Sequence, residues 1–209
     1  MPNWRLMVEE RTQLKVSDFY KTKKGMVEPT CEKLHKWKQQ DKEVKVIWCD
    51  NDGENIDLEK RCQSKDWKLD IKFEYTARDT PQQNSIVKKG FDTLYCRGRA
   101  MLNAANIPVK QRYRIFREVF KCATHLDNLM IIELDGKKAT RYEHWGGTLP
   151  KFAKHLRTWG EVGVVKLKTT STGKLDNKGT VCAFVGYSPK HAGDCYRMWD
   201  PVKKSIHTT

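Results

Sequence analysis

The densest run of cation-binding groups is Asp50-Asn51-Asp52-Gly53-Glu54. Hard divalent cations take oxygen ligands, and open α/β sheets place ligands beyond the carboxyl ends of their strands. The run follows V-K-V-I-W-C at residues 44–49, a short and mostly apolar segment that reads as a central strand buried on both faces. A carboxylate of this run, at the C-terminal end of a buried strand, is a candidate ligand for Mg²⁺, although the same string also suits a polar turn that ends a strand. An EF-hand loop is excluded, because it needs glycine at its sixth position and Gly53 stands fourth. The six histidines, at 35, 125, 144, 155, 191 and 207, form no ligand pair at helical spacing, and none has a cysteine at metal-ligand spacing, so zinc is not expected. No phosphate-binding glycine loop and no G-x-S-x-G elbow appears.

The second chemical feature is charge. The 209 residues carry 40 Lys+Arg against 26 Asp+Glu, a net charge of +14. That excess points to a polyanionic partner, nucleic acid before an acidic membrane. Half of it lies in residues 81–125, with 9 basic and 2 acidic side chains, whereas residues 51–80 hold 6 and 8. Within the basic block Lys110, Arg114, Arg117 and Lys121 form a stripe at helical spacing, joined by Lys88, Lys89, Arg97 and Arg99. A solvated helix face has the same pattern. Arg97, Arg99, Arg114, Arg117 and Lys121 are the candidate phosphate contacts.

The elements that must position these groups follow from periodicity. Trp4–Val8 and Lys15–Tyr20 read as short strands, Glu28–Gln40 as a helix with Pro29 in its first turn, Asn55–Gln63 as a helix and Asp70–Tyr75 as an alternating strand. From Gln82 to Ala105 the residues Val87, Phe91, Leu94, Gly98, Met101 and Ala105 lie on one stripe, and a further helix is expected from Lys110 to Leu129. After Gly146-Gly147, the segments Gly160–Thr170, Thr180–Tyr187 and Cys195–Trp199 read as strands of a small β unit. Mean hydropathy is −0.75, and no run of about 18 apolar residues that could span a membrane exists. The start has no secretory signal. Seven cysteines, an odd count with no C-x-x-C pair, argue for a reducing compartment, nuclear or cytoplasmic.

Read in order, V-K-V-I-W-C-D-N-D-G-E-N (44–55), E-Y-T-A-R-D-T-P-Q-Q-N-S-I-V (74–87), R-A-M-L-N-A-A-N-I-P (99–108), L-R-T-W-G-E (156–161), G-T-V-C-A-F-V-G-Y-S (179–188) and Y-R-M-W-D-P (196–201) resemble the integrase core of copia-type retrotransposons, as found in the pol polyprotein. The resemblance runs from about Trp4 to the last residue. It implies an α/β chain with an RNase H-like mixed sheet flanked by helices over residues 1–145, and a small β-rich region over 146–209. It further implies two aspartates and a glutamate holding two Mg²⁺ or Mn²⁺ ions for in-line attack on a phosphodiester, with double-stranded DNA as substrate, self-association and no membrane partner.

Asp50 matches the second aspartate of that set. The first would lie on a strand before residue 4, so the sheet is expected to lack its first strand. The glutamate position matches Lys88. An ammonium about 5 Å from a divalent ion costs on the order of 6 kcal/mol at an effective dielectric near 20. The resemblance therefore implies an integrase-type core without activity, in which Asp52, Glu54, Glu74 or Asp79 could at most support a weak single-metal site. A non-catalytic basic nucleic-acid-binding module and a protein-interaction remnant are the alternatives.

Overall fold

The computed structural model describes residues 2–77, 85–166, 178–188 and 191–209. By internal contacts the chain forms two units, residues 1–6 with 18–89 and residues 7–17 with 90–209. Both are mixed α/β, built from small sheets. The T-P-Q-Q-N motif at 80–84 and Asp79 lie outside the described residues.

In the first unit, a 3-10 turn at Lys24–Met26 leads into helix α1, Val27–Lys38, with Pro29 in the first turn as expected. Strand β3, Val46–Cys49, pairs in parallel with β4, Lys72–Tyr75, Val46 opposite Lys72 and Cys49 opposite Tyr75. Between them runs α2, Gly53–Gln63. Cys31 and Leu34 of α1, Leu58 and Cys62 of α2, and Leu69, Ile71 and Phe73 before and on β4 make the core, with Ile47 and Cys49 packed on it. Arg61 forks onto Glu28 at 2.7 and 3.0 Å and reaches Asp66 at 2.6 Å, which ties α2 to α1.

The expectation of a strand buried on both faces fails for β3. Val46 is 44% and Trp48 is 55% exposed. The helices cover one face only, and β4 is the one strand paired with β3 among the described residues.

Strands β1, Asn3–Val8, and β2, Lys15–Tyr20, pair as a two-stranded sheet whose tip, residues 7–17, belongs to the second unit. Glu9 closes that tip by accepting from the Arg11 and Thr12 amides.

Helix α3, Ser85–Ala104, buries Gly90, Leu94, Gly98 and Leu102. Relative to the expected stripe, the buried line keeps Leu94 and Gly98 and turns toward Gly90 and Leu102. At Gly98 the approach is close: a Cβ there would lie 2.5 Å from the Phe120 ring. The single helix expected over 110–129 is broken into α4, Val109–Arg112, a 3-10 turn at Tyr113–Ile115, and α5, Phe116–Asn128. The break puts Ile115 wholly inside while Tyr113 stays 57% exposed.

A hairpin absent from the sequence reading follows, β5 Ile131–Leu134 with β6 Lys137–Thr140. Its two-residue turn is Asp135-Gly136, both at positive φ (52° and 74°), the pair that such a turn favours. Thr140 and Glu143 then form a reciprocal capping box on α6, Arg141–Gly146.

The C-terminal part is a four-stranded antiparallel sheet in the order β10-β9-β8-β7, from β7 Val162–Lys166, β8 Gly179–Tyr187, β9 Tyr196–Asp200 and β10 Ser205–Thr208. Three of these strands were expected and β10 was not; residues 167–170 of the first lie outside the described residues. Buried Glu118 of α5 receives both forks of Arg197 of β9 at 2.7 and 2.8 Å, which fastens the sheet to the helix.

The polar centre of the second unit is Asp127 on α5, with 2% of its side chain exposed. Lys15 reaches it at 2.7 Å, Arg97 at 2.9 Å and Arg141 at 3.4 Å. Next to it, Asn128 accepts from the Lys15 amide at 2.9 Å and donates to the Lys15 carbonyl at 2.7 Å, so one side chain replaces a missing ladder partner of β2.

Two outcomes follow. Asp127→Ala leaves buried cations without their anion and should lower stability by about 3–5 kcal/mol in urea denaturation; an unchanged midpoint contradicts this account of the unit. His125 of α5 stacks on Phe152 at 5.2 Å, and burial, helped by Lys121, lowers its pKa to about 4. The unfolded chain takes up that proton from about pH 6.5 downward and the folded chain does not. Stability should therefore fall as pH drops from 6.5 to 4, by up to about 3 kcal/mol. His125→Phe should flatten that slope in thermal melts at pH 4.5 and 7; an identical slope in both proteins refutes it.

Candidate metal and nucleic-acid sites

Asp50 is exposed and stands directly after β3, at the strand end where the sequence places it. Its position is set by Asn55, a buried residue of the first turns of α2, whose amide donates to the Asp50 carbonyl at 3.1 Å and to its carboxylate. Asn55 is fixed in turn by Arg5 of β1, which donates to Asn55 Oδ1 at 2.6 Å and to Thr30 Oγ1 at 2.9 Å. Burial lowers the Arg5 pKa, opposed by the nearby anionic groups. Sequence reasoning passed over Arg5 and Asn55. Asn55 ends the D-N-D-G-E-N string and could have been read from it, whereas Arg5 lies 50 residues away.

The remaining acids of the loop face a cation. Lys23 reaches Glu54 at 2.9 Å and Asp52 at 3.6 Å, and its hydrogen bond holds the Glu54 carboxyl below the usual range. Glu74 is paired with Lys72 at 2.7 Å. Lys88 is exposed on α3. Beside Asp50, Cys49 is pushed up to about 11, by burial first and the Asp50 charge second, so it stays a thiol at neutral pH. One carboxylate at a strand end, with its neighbours drawn to Lys23, is not the oxygen cage that two divalent ions need. The described residues of this unit do not fit that pair of ions.

The five basic candidates are in different states. Arg97 is turned inward onto Asp127. Arg99 is exposed and donates to Cys96 Sγ at 3.4 Å. Arg114 and Arg117 are exposed, and the Arg114 guanidinium lies 5.1 Å from the ring centre of the exposed Tyr113. Lys121 is half-buried on α5, one turn after Arg117. The break before α5 means that Lys110, Arg114, Arg117 and Lys121 do not share one helical stripe. Among the described residues, Arg99, Arg114 and Arg117 form no ion pair with a carboxylate.

A third cluster was not expected. Cys182, Asp200 and His207 each present a ligand atom, all within 4.8 Å of one another. They are 18 and 7 residues apart in the chain, and only the pairing of β8, β9 and β10 collects them.

Residues 162–209 match the family described as "Retroviral polymerase SH3-like domain". Over 172 residues, 79% of its length, the chain is 28% identical to the "Retrovirus-related Pol polyprotein from transposon TNT 1-94" of Nicotiana tabacum, and it spans 12% of that polyprotein. In fold it is similar, with a TM-score of 0.50 and 11% identity, to a chain of "CryoEM structure of simian T-cell lymphotropic virus intasome in complex with PP2A regulatory subunit B56 gamma", covering 99% of this chain and 73% of that one. No helix among the described residues is long and apolar enough to cross a membrane. The chain is thus similar to a retroelement Pol polyprotein over most of its length and to the retroviral SH3-like domain at its C-terminal end.

Proposed function

We propose that this chain is the integrase-core region of a copia-type retroelement Pol protein, binding double-stranded DNA without strand-transfer chemistry of its own. The observation that carries the reading is that Arg99, Arg114 and Arg117 are exposed and clear of carboxylate partners among the described residues, with the Arg114 guanidinium against the ring of the exposed Tyr113. Exposed arginines without carboxylate partners suit phosphate contact. The copia-type motifs and the similarity to the tobacco polyprotein support the descent.

An RNase H-like sheet is the fold of this proposal. What supports it is the parallel pairing of β3 with β4 through the intervening α2, with α1 and α2 packed on the same core. The lack of chemistry rests on Asp50 standing alone at the strand end among the described residues, on Lys23 at the acidic loop and on Lys88 in the glutamate's place. A second reading, a protein-docking module, has one observation in its favour: Val162, Val164 and Val181 are 70, 73 and 60% exposed on β7 and β8.

Fluorescence anisotropy of the 209-residue chain with a labelled duplex tests the proposal. For about four phosphate contacts, affinity should fall about 100-fold between about 50 and 200 mM salt. Arg114→Ala and Arg117→Ala should each flatten the salt slope by about 1. Affinity that is absent, or indifferent to salt, refutes DNA binding and favours the docking reading. With Mg²⁺ or Mn²⁺ and a duplex substrate no strand transfer is expected; turnover that Asp50→Asn abolishes overturns the inactive reading.

A further inference from the structure

We infer that Cys182, Asp200 and His207 are a binding site for a zinc-class divalent metal ion, set into the C-terminal four-stranded sheet. The inference is independent of DNA binding.

The three residues sit on three successive strands. Asp200 of β9 pairs with Ser205 of β10, and His207 lies two residues further along that strand. Ala183 pairs with Trp199, which brings Cys182 beside Asp200 across the β8–β9 ladder. Antiparallel pairing with a period of two puts all three side chains on one face. Their ligand atoms lie within 4.8 Å of one another, and the Asp200 carboxylate is 3.7 Å from His207 Nε2. Around zinc, sulfur at ≈ 2.3 Å and nitrogen or oxygen near 2.1 Å stand roughly 3.5 Å apart. Small side-chain shifts close the set.

Asp200 shows why the cluster is more than a turn. One oxygen, Oδ1, accepts from the Val202 and Lys203 amides, both at 2.9 Å, and so caps the turn between β9 and β10. The other, Oδ2, meets Thr180 Oγ1 only at 3.4 Å and His207 at 3.7 Å. The residue is 0% exposed. A buried carboxylate oxygen with partners at that range is under-satisfied, and the backbone bonds to Oδ1 hold it in place, as outer contacts hold a metal ligand.

Thiolate, imidazole and carboxylate together select a borderline metal such as zinc over Mg²⁺ or Ca²⁺. Cys182 is buried, while His207 is 28% exposed and leaves an entry path and room for a water as fourth ligand. The Ser205 hydroxyl, 3.3 Å from His207 Nε2, would rotate away on binding.

The test uses the full chain, stripped with a chelator, kept reduced with a phosphine, and titrated with Co²⁺ and then Zn²⁺. A thiolate-to-cobalt absorption band should appear and be displaced by one equivalent of Zn²⁺, and Zn²⁺ should raise the melting midpoint. Cys182→Ala should remove the band. His207→Gln, on a partly exposed side chain and so compatible with folding, should weaken Zn²⁺ binding on the order of 100-fold, since outer-shell partners alone are worth 10–100-fold. Cys31 and Cys62, whose sulfurs lie 3.6 Å apart in the first unit, are the internal control: the band should survive Cys31→Ala. No band, a band that survives Cys182→Ala, or unchanged Zn²⁺ affinity in His207→Gln overturns the site.

Discussion

Asp127 is almost completely removed from water, yet three cations reach it, Lys15, Arg97 and Arg141. An isolated carboxylate in that position would be expelled or protonated. Lys15 is as buried as its partner and equally dependent on it. The pair is stable only if all of its neighbours are in place, so it demands a defined arrangement of the hairpin tip, α3, α5 and α6. The same helix continues that logic one turn apart, with Asn128 on the Lys15 backbone and Thr124 on the Ser17 hydroxyl at 2.6 Å. The second unit is organised around the polar side of α5 as much as around its apolar side.

This constraint divides the basic residues into two populations. Arg97, Arg141 and Arg197 neutralise buried carboxylates and leave little field outside. Arg99, Arg114 and Arg117 remain on the surface. The net charge of +14 already counts these buried pairs against each other, so what differs is where the excess is exposed. The outward subset includes Arg114, which lies against the ring of the exposed Tyr113.

The acidic loop of the first unit has the opposite arrangement. Asn55 and Arg5 hold Asp50 in a defined position, but Lys23 answers the neighbouring acids. Asp50 thus has a defined place, and the acids next to it share a single lysine. In the C-terminal sheet, by contrast, the ion-pair partner of buried Asp200 among the described residues is a histidine at 3.7 Å.

Local pattern was enough to place most helices and strands and the turn after β3, because periodicity and turn chemistry act over a few residues. It was also enough to connect the chain to retroelement Pol sequences through motif order. It could not show that β3 has a single neighbour among the described residues, that the basic helix breaks before Phe116, or that Arg97 points at Asp127. Those outcomes depend on pairings across tens of residues, where one buried charge or one close contact, such as Gly98 against Phe120, outweighs local propensity. The same holds for Cys182, Asp200 and His207. Their spacing carries no ligand signature, and strand register alone makes them neighbours.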